Sequence, residues 1–229
     1  IGYNISTVLG PAIAGFVIAY SGVAAVYFAD AVSYLVLMAT LFGIRAHGRI
    51  EGERKPASFS AMLEGLRFVK SKTLIWSTML LDFFATFFAE ATILLPVFAK
   101  DILHIGPELL GFLYAAPFIG ATLMGFAAAT IGKRINTGSV LLWSVVAYAA
   151  GMILFGVSTN YTMSLMALVI VGAGDGMSAV IRNIIRQLST PDHIRGRMTA
   201  INQIFYTGGP RLGEVEAGIL AGLVGAPVS

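Results

Sequence analysis

Residues 109–131 read LLGFLYAAPFIGATLMGFAAATI, a run without one aspartate, glutamate, lysine or arginine. About 20 apolar residues wound as a helix rise roughly 30 Å, the thickness of a bilayer's hydrocarbon core. A barrel strand takes about 10 residues of alternating polarity, and this run has neither that length nor that period. Lipid offers backbone amides no partner, so the segment is expected to be a helix.

Working outward, six more apolar blocks appear: Ile5–Tyr20, Ala24–Ile44, Leu74–Phe98, Ser139–Val157, Met163–Ile185 and Met198–Val224. The reading is an all-α, polytopic transmembrane bundle of seven spans. Composition agrees, with 57% hydrophobic residues and a mean hydropathy of +0.82. Charged residues make up 12% of the chain, against about 25% in soluble domains. There is no cysteine, which excludes disulfides, thiol catalysis and cysteine-ligated metals.

The connections between blocks alternate in charge. If the first helix runs from inside to outside, the inner loops and adjoining helix ends hold thirteen of the fifteen Lys and Arg, among them Arg45, Arg54, Lys55, Arg67, Lys133, Arg134, Arg182, Arg186, Arg195 and Arg197. The outer loops hold Lys100 alone, and Arg211 falls inside the seventh block. Short loops with this bias fix orientation, so a cell (inner) membrane location with the basic loops cytoplasmic is expected. The net charge of +3 then reports topology, and no nucleic-acid partner is expected.

One connection is long. Within it Phe59, Met62, Leu63, Leu66 and Val69 recur at helical spacing, an amphipathic helix that either lies along the inner membrane face or packs on the ends of its neighbours. The boundary this gives is residues 1–44, a linker at 45–73, and residues 74–229.

Ionisable residues inside the spans carry the chemical information. Asp30, Asp82, Glu90, Asp175, Glu214 and Glu216 are six of the twelve acids, and Arg211 joins them. Six acids facing lipid would cost about 15–20 kcal/mol on insertion scales, more than the net stability of most proteins. They must pair, line a cavity or sit near an interface. Asp82 and Glu90 stand eight positions apart, roughly 12 Å along a helix axis and about 80° around it, and can line one pathway at two depths. A carboxylate in such a place exchanges protons more readily near neutral pH than one in water, as proton-driven transport requires; the bland alternative is a hydrogen bond to a neighbouring helix. Asp175 lies within Gly172-Ala173-Gly174-Asp175-Gly176, where small residues admit a neighbouring backbone and can form a hinge. Gly208-Gly209-Pro210 is expected to break or kink the last helix, with Arg211 and Glu214 pairing at i, i+3 or presenting the arginine to an anionic substrate. Asp30 and Glu216 read as structural or interfacial. Gly218 and Gly222 allow close helix packing.

No nucleotide phosphate loop, His-Glu-x-x-His helix or Gly-x-Ser-x-Gly elbow occurs. No ATP-driven pump, enzyme, cofactor or metal site is therefore expected. A seven-helix receptor is a rival class, against which stand the large loop after the second helix and the absence of extracellular cysteines.

Several stretches resemble a known family. GPAIAG at 10–15, with Gly10, Pro11 and Gly15, looks like the Gly-Pro-rich element in the fifth helix of major facilitator antiporters, Ala14 replacing one glycine. LLPVFA at 94–99 and GFLYAAP at 111–117 are similar to helices seven and eight of the enterobactin-exporter-like (transmembrane secretion effector) branch, as are TPDHIRGR at 190–197 and LGEVEAG at 212–218. Gly125, Gly132, Lys133 and Arg134 keep the spacing of the superfamily's inner-loop gating motif, but Ala129 stands where that motif has an aspartate, which implies a weakened lock. Arg195-Gly196-Arg197 anchors topology or serves as a second gate.

The resemblance implies twelve helices in two bundles, of which this chain supplies helices five to eleven; both ends accordingly read as cut. It implies a small-molecule exporter, siderophore-like or drug-like in cargo, that exchanges substrate for protons and works as a monomer when full length. Proton-coupled uptake is the alternative direction.

Overall fold

Helices are the response of these segments to a solvent without hydrogen-bonding capacity. In the computed structural model, which describes residues 2–43, 59–89, 92–131 and 137–229, the apolar blocks are helical, all but one of them as a single helix over the described residues. The order is α1 (Gly2–Ser21), α2 (Val23–Gly43), α3 (Phe59–Ser71), α4 (Thr73–Phe88), α5 (Leu95–Val97), α6 (Pro107–Ile131), α7 (Thr137–Gly156), α8 (Tyr161–Ser189) and α9 (Arg195–Val224). No strand occurs among the described residues.

Helix α8 is the hub, packing along α6 on one side and α7 on the other. Helix α1 lies along α6, and α4 lies along α9. Leu95, Phe98, Leu113, Ala116, Phe155 and Leu168 form the main core, with the Phe98 and Phe155 rings stacked at 4.5 Å. Helix α3 docks through Val69 onto Ile75, Met79, Met198 and Ile201, and Glu64 pairs with Arg197. The amphipathic helix thus sits on the ends of its neighbours, while Leu63 remains exposed.

Beside this apolar core, the outer surface is unlike that of a soluble protein. Phe126, Leu142, Trp143 and Ile153 are largely exposed on the long helices, whereas Thr78, Asp82, Ser144, Ser164, Ser178 and Arg182 are buried. Apolar surface on this scale needs a hydrocarbon solvent. The chain is a multi-pass membrane protein with an all-α fold.

Four sequence expectations change in detail. Among the described residues, five stretches are long and apolar enough to cross a membrane: Val23–Gly43, Thr73–Ile102, Pro107–Ala128, Thr137–Gly156 and Tyr161–Ser189. The apolar part of α1 is the shorter Leu9–Ser21, and α9 carries Arg195, Arg197, Arg211, Glu214 and Glu216 along its length. The block read as Leu74–Phe98 is not one helix: α4 stops at Phe88, and a 3-10 turn at Thr92–Leu94, α5 and a π turn at Phe98–Ile102 follow. Conversely, α9 runs unbroken through Gly208-Gly209-Pro210. Gly218 and Gly222 meet no neighbour within 4 Å, so their spacing is not used for packing among the described residues.

Glycines matter instead at two seams. A Cβ on Gly15 would lie 3.1 Å from the Gly111 Cα, which lets α1 and α6 touch, with Phe16 edge-on to Phe112 at 5.8 Å. A Cβ on Gly172 would run into the backbone of Pro117, where α8 crosses α6. Gly172→Ala is therefore expected to destabilise the protein by about 1–3 kcal/mol through overpacking. Gly125→Ala, inside α6 with open space around it, should cost nothing and gain up to about 1 kcal/mol from helix propensity. Thermal unfolding of both variants in detergent checks the contrast.

Candidate functional site

Asp82 lies in the middle of α4, and its side chain is only 9% exposed. Opposite it, α8 presents Asp175, Ser178 and Arg182 at i, i+3 and i+7, on one helix face. The Arg182 guanidinium is 6% exposed and reaches Asp82 Oδ1 at 2.8 Å. It also donates to Ser178 Oγ at 2.5 Å and lies 3.6 Å from Asp175 Oδ1. One buried cation is thus shared between two carboxylates and a hydroxyl. Ser144 and Tyr148 of α7 complete the walls of a small pocket around this cluster, with Thr86 of α4 beside them. Thr86 donates to the Asp82 carbonyl at 2.9 Å, Ser144 to the Val140 carbonyl at 2.7 Å, and Tyr148 to the Ala89 carbonyl at 3.2 Å.

The free space there is about 10 Å³. That is the scale of a single water, far below the roughly 300–1,000 Å³ of a drug-sized site, so the cluster is closed around its own charges.

The other sequence candidates fall in different places. Asp175 joins the cluster with its side chain 47% exposed. Gly174 packs against Ser144 and Tyr148, and Gly176 against Ala121, so the glycines flanking Asp175 are where α7 and α6 approach α8. Arg211 and Glu214 pair at 3.0 Å on α9, outside the cluster and with Arg211 exposed. Arg195 begins α9 and pairs with Asp192 at 2.6 Å; Arg197 meets Glu64. Pro11 and Gly15 lie on the α1–α6 seam, whereas Gly10, Gly125 and Gly196 have no neighbour within 4 Å of a notional Cβ. Glu90, Gly132, Lys133 and Arg134 lie outside the described residues.

Arg182 is the residue whose pairing went unread in the sequence. Counted there among the basic groups of an inner helix end, it is buried inside α8 and bound to Asp82. Charge counting treats every arginine near a span's end alike. The signal that could have separated it was its register: Arg182 shares a helix face with Asp175 and Ser178.

A helical bundle that turns aromatic and aliphatic side chains outward and closes an arginine and a carboxylate inside, with a second carboxylate at its edge, is a polytopic membrane protein with a polar interior. A family model described as transmembrane secretion effector matches residues 1–229. The chain belongs to that family of the major facilitator superfamily, as the resemblance implied. The multidrug efflux pump Tap of Mycolicibacterium fortuitum is 26% identical over 97% of this chain and 55% of its own length. The enterobactin exporter EntS of Salmonella choleraesuis (strain SC-B67) is 26% identical over 96% of the chain and 52% of its length, and EntS of Escherichia coli O1:K1 / APEC is 24% identical over the same shares. The chain spans about half the length of the curated relatives it matches.

Proposed function

We propose that the protein is a secondary exporter of a small molecule, working by proton-coupled alternating access about the Asp82–Arg182–Asp175 cluster. The observation that carries this reading is the buried arginine shared by carboxylates from two packed helices, in a chain whose relatives are named as an efflux pump and as exporters. On this reading Arg182 holds Asp82 when that carboxylate is charged. A proton on Asp82 releases the guanidinium, and an anionic group of the cargo competes for it. Proton and cargo therefore occupy the cluster in turn, as exchange demands. Siderophore-like or amphiphilic drug-like cargo fits the relatives' names. Membership in a transporter family gives no enzymatic role.

Residues 1–44 would be the last two helices of the N-terminal bundle, 45–73 the cytoplasmic linker with α3, and 74–229 five helices of the C-terminal bundle. The full-length protein would act as a monomer in the inner membrane. Expression in a strain lacking its own efflux systems should lower intracellular accumulation of a fluorescent amphiphilic cation or a catecholate. Raised accumulation would point to uptake, and no change with any cargo would remove the transport reading. Orientation has its own check in this cysteine-free chain. Single cysteines at Lys100 and at Lys72 are expected to react with an impermeant thiol reagent from opposite sides of the membrane, Lys72 from the cytoplasm.

A further inference from the structure

Where α8 ends and α9 begins, the two helices enclose a second cavity of about 260 Å³. It shares no lining residue with the Asp82–Arg182 pocket, and one helical turn separates Arg182 from Arg186. Polar groups dominate its walls: Asn183, Arg186 and Thr190 from one side, Arg195, Thr199 and Asn202 from the other.

Two features of the walls call for a ligand. Arg186 is half-buried and donates to the side-chain oxygens of Asn202 and Asn183, yet it forms no ion pair with any described carboxylate. Neutral amides take two of its five N–H groups and bring no counter-charge into contact with it, and a partly desolvated cation is stabilised far more by an anion. The second feature is Thr190, whose Oγ1 is buried with no hydrogen-bond partner. Buried hydroxyls are rarely left so. Arg195, exposed at the rim and paired with Asp192, brings a second guanidinium. Positive charge and surplus donors converge here, and an oxyanion supplies what both lack.

We propose that this cavity binds a phosphate-type oxyanion, held by Arg186 and Arg195 and accepting a hydrogen bond from Thr190. A lipid headgroup phosphate and a free phosphate share that chemistry. The docking of α3 beside this end of α9, with Gly65 against Ile201 and Arg197, puts the amphipathic helix and the pocket at the same end of the bundle. The site exists independently of the export reading.

The test uses the full-length protein in detergent, free of phosphate. Thermal unfolding is followed while inorganic phosphate or short-chain dihexanoyl phosphatidic acid is titrated, with chloride at matched ionic strength as control. At least one probe is expected to raise Tm saturably. Arg186→Gln should weaken the apparent Kd about tenfold, the usual effect of losing a charged hydrogen bond. Thr190→Val should weaken it by a smaller factor, and Arg67→Gln on the exposed face of α3 should leave it unchanged. Equal stabilisation by both probes assigns the site to the free oxyanion, and stabilisation by the lipid alone assigns it to headgroups; either supports the proposal. It is overturned if neither probe shifts Tm saturably, or if both Arg186→Gln and Thr190→Val bind like the unaltered protein. Should Arg186→Gln fail to fold, Thr190→Val alone decides.

Discussion

Arg182→Met is expected to destabilise the full-length protein by about 3–5 kcal/mol, because it leaves the Asp82 carboxylate buried without its cation. The geometry predicts more than a single loss. Removing both charges should be far milder than removing one, since a buried pair replaced by neutral side chains is often close to neutral in stability. Arg182→Met combined with Asp82→Asn should therefore recover most of what Arg182→Met loses. The exposed pair on α9 offers the contrast: Arg211→Gln removes a surface ion pair worth about 0–1 kcal/mol. Denaturant unfolding in detergent measures all three. An Arg182→Met variant as stable as the parent, or a double variant no better than the single, would mean that the 2.8 Å contact between Asp82 and Arg182 does not govern the bundle.

The second large effect concerns coupling. Asp82→Asn keeps the shape of the side chain and a carbonyl oxygen for Arg182, but it removes the proton-binding group. In everted vesicles carrying the full-length protein, cargo should dissipate a preformed pH gradient with the parent protein and fail to do so with Asp82→Asn. Cargo-for-cargo exchange, which moves no net proton, should persist in the variant. Separating the two readouts distinguishes a coupling residue from one that only holds the fold, since a folding defect would abolish both. Unchanged pH dissipation would remove Asp82 from the mechanism and leave Asp175 as the remaining carboxylate of the cluster to examine.

Much of the architecture could be read before any coordinates, and the reasons are local. Apolar runs such as 109–131 set helix existence through hydrogen bonding alone, and α6, α7 and α8 form within a few residues of the blocks read from the sequence. The i, i+3 spacing of Arg211 and Glu214 likewise predicts a pairing decided within one helical turn. What stayed hidden depends on packing between segments distant in sequence. Nothing near Asp82 names Arg182, which arrives from another helix because α8 is the hub of the bundle. Of the break or kink that local rules allow at Pro210, a break does not occur, and the proline sits inside α9. There Gly209 lies close against Phe83 and Thr86 of α4, so tertiary packing overrides the local preference. Near Phe88 the reverse happened, as hydropathy continued across a point where the helix stops.

On the proposed mechanism, the Asp82–Arg182 cluster lies on a path opened to each side of the membrane in turn. Ser144 lines that cluster and is buried, and the chain has no native thiol. With Ser144→Cys in the full-length protein, an impermeant thiol reagent should label the cysteine from either face of the membrane. Cargo should raise the labelling rate on one face while lowering it on the other. Labelling that is absent from both faces, or confined to one face and indifferent to cargo, contradicts the account.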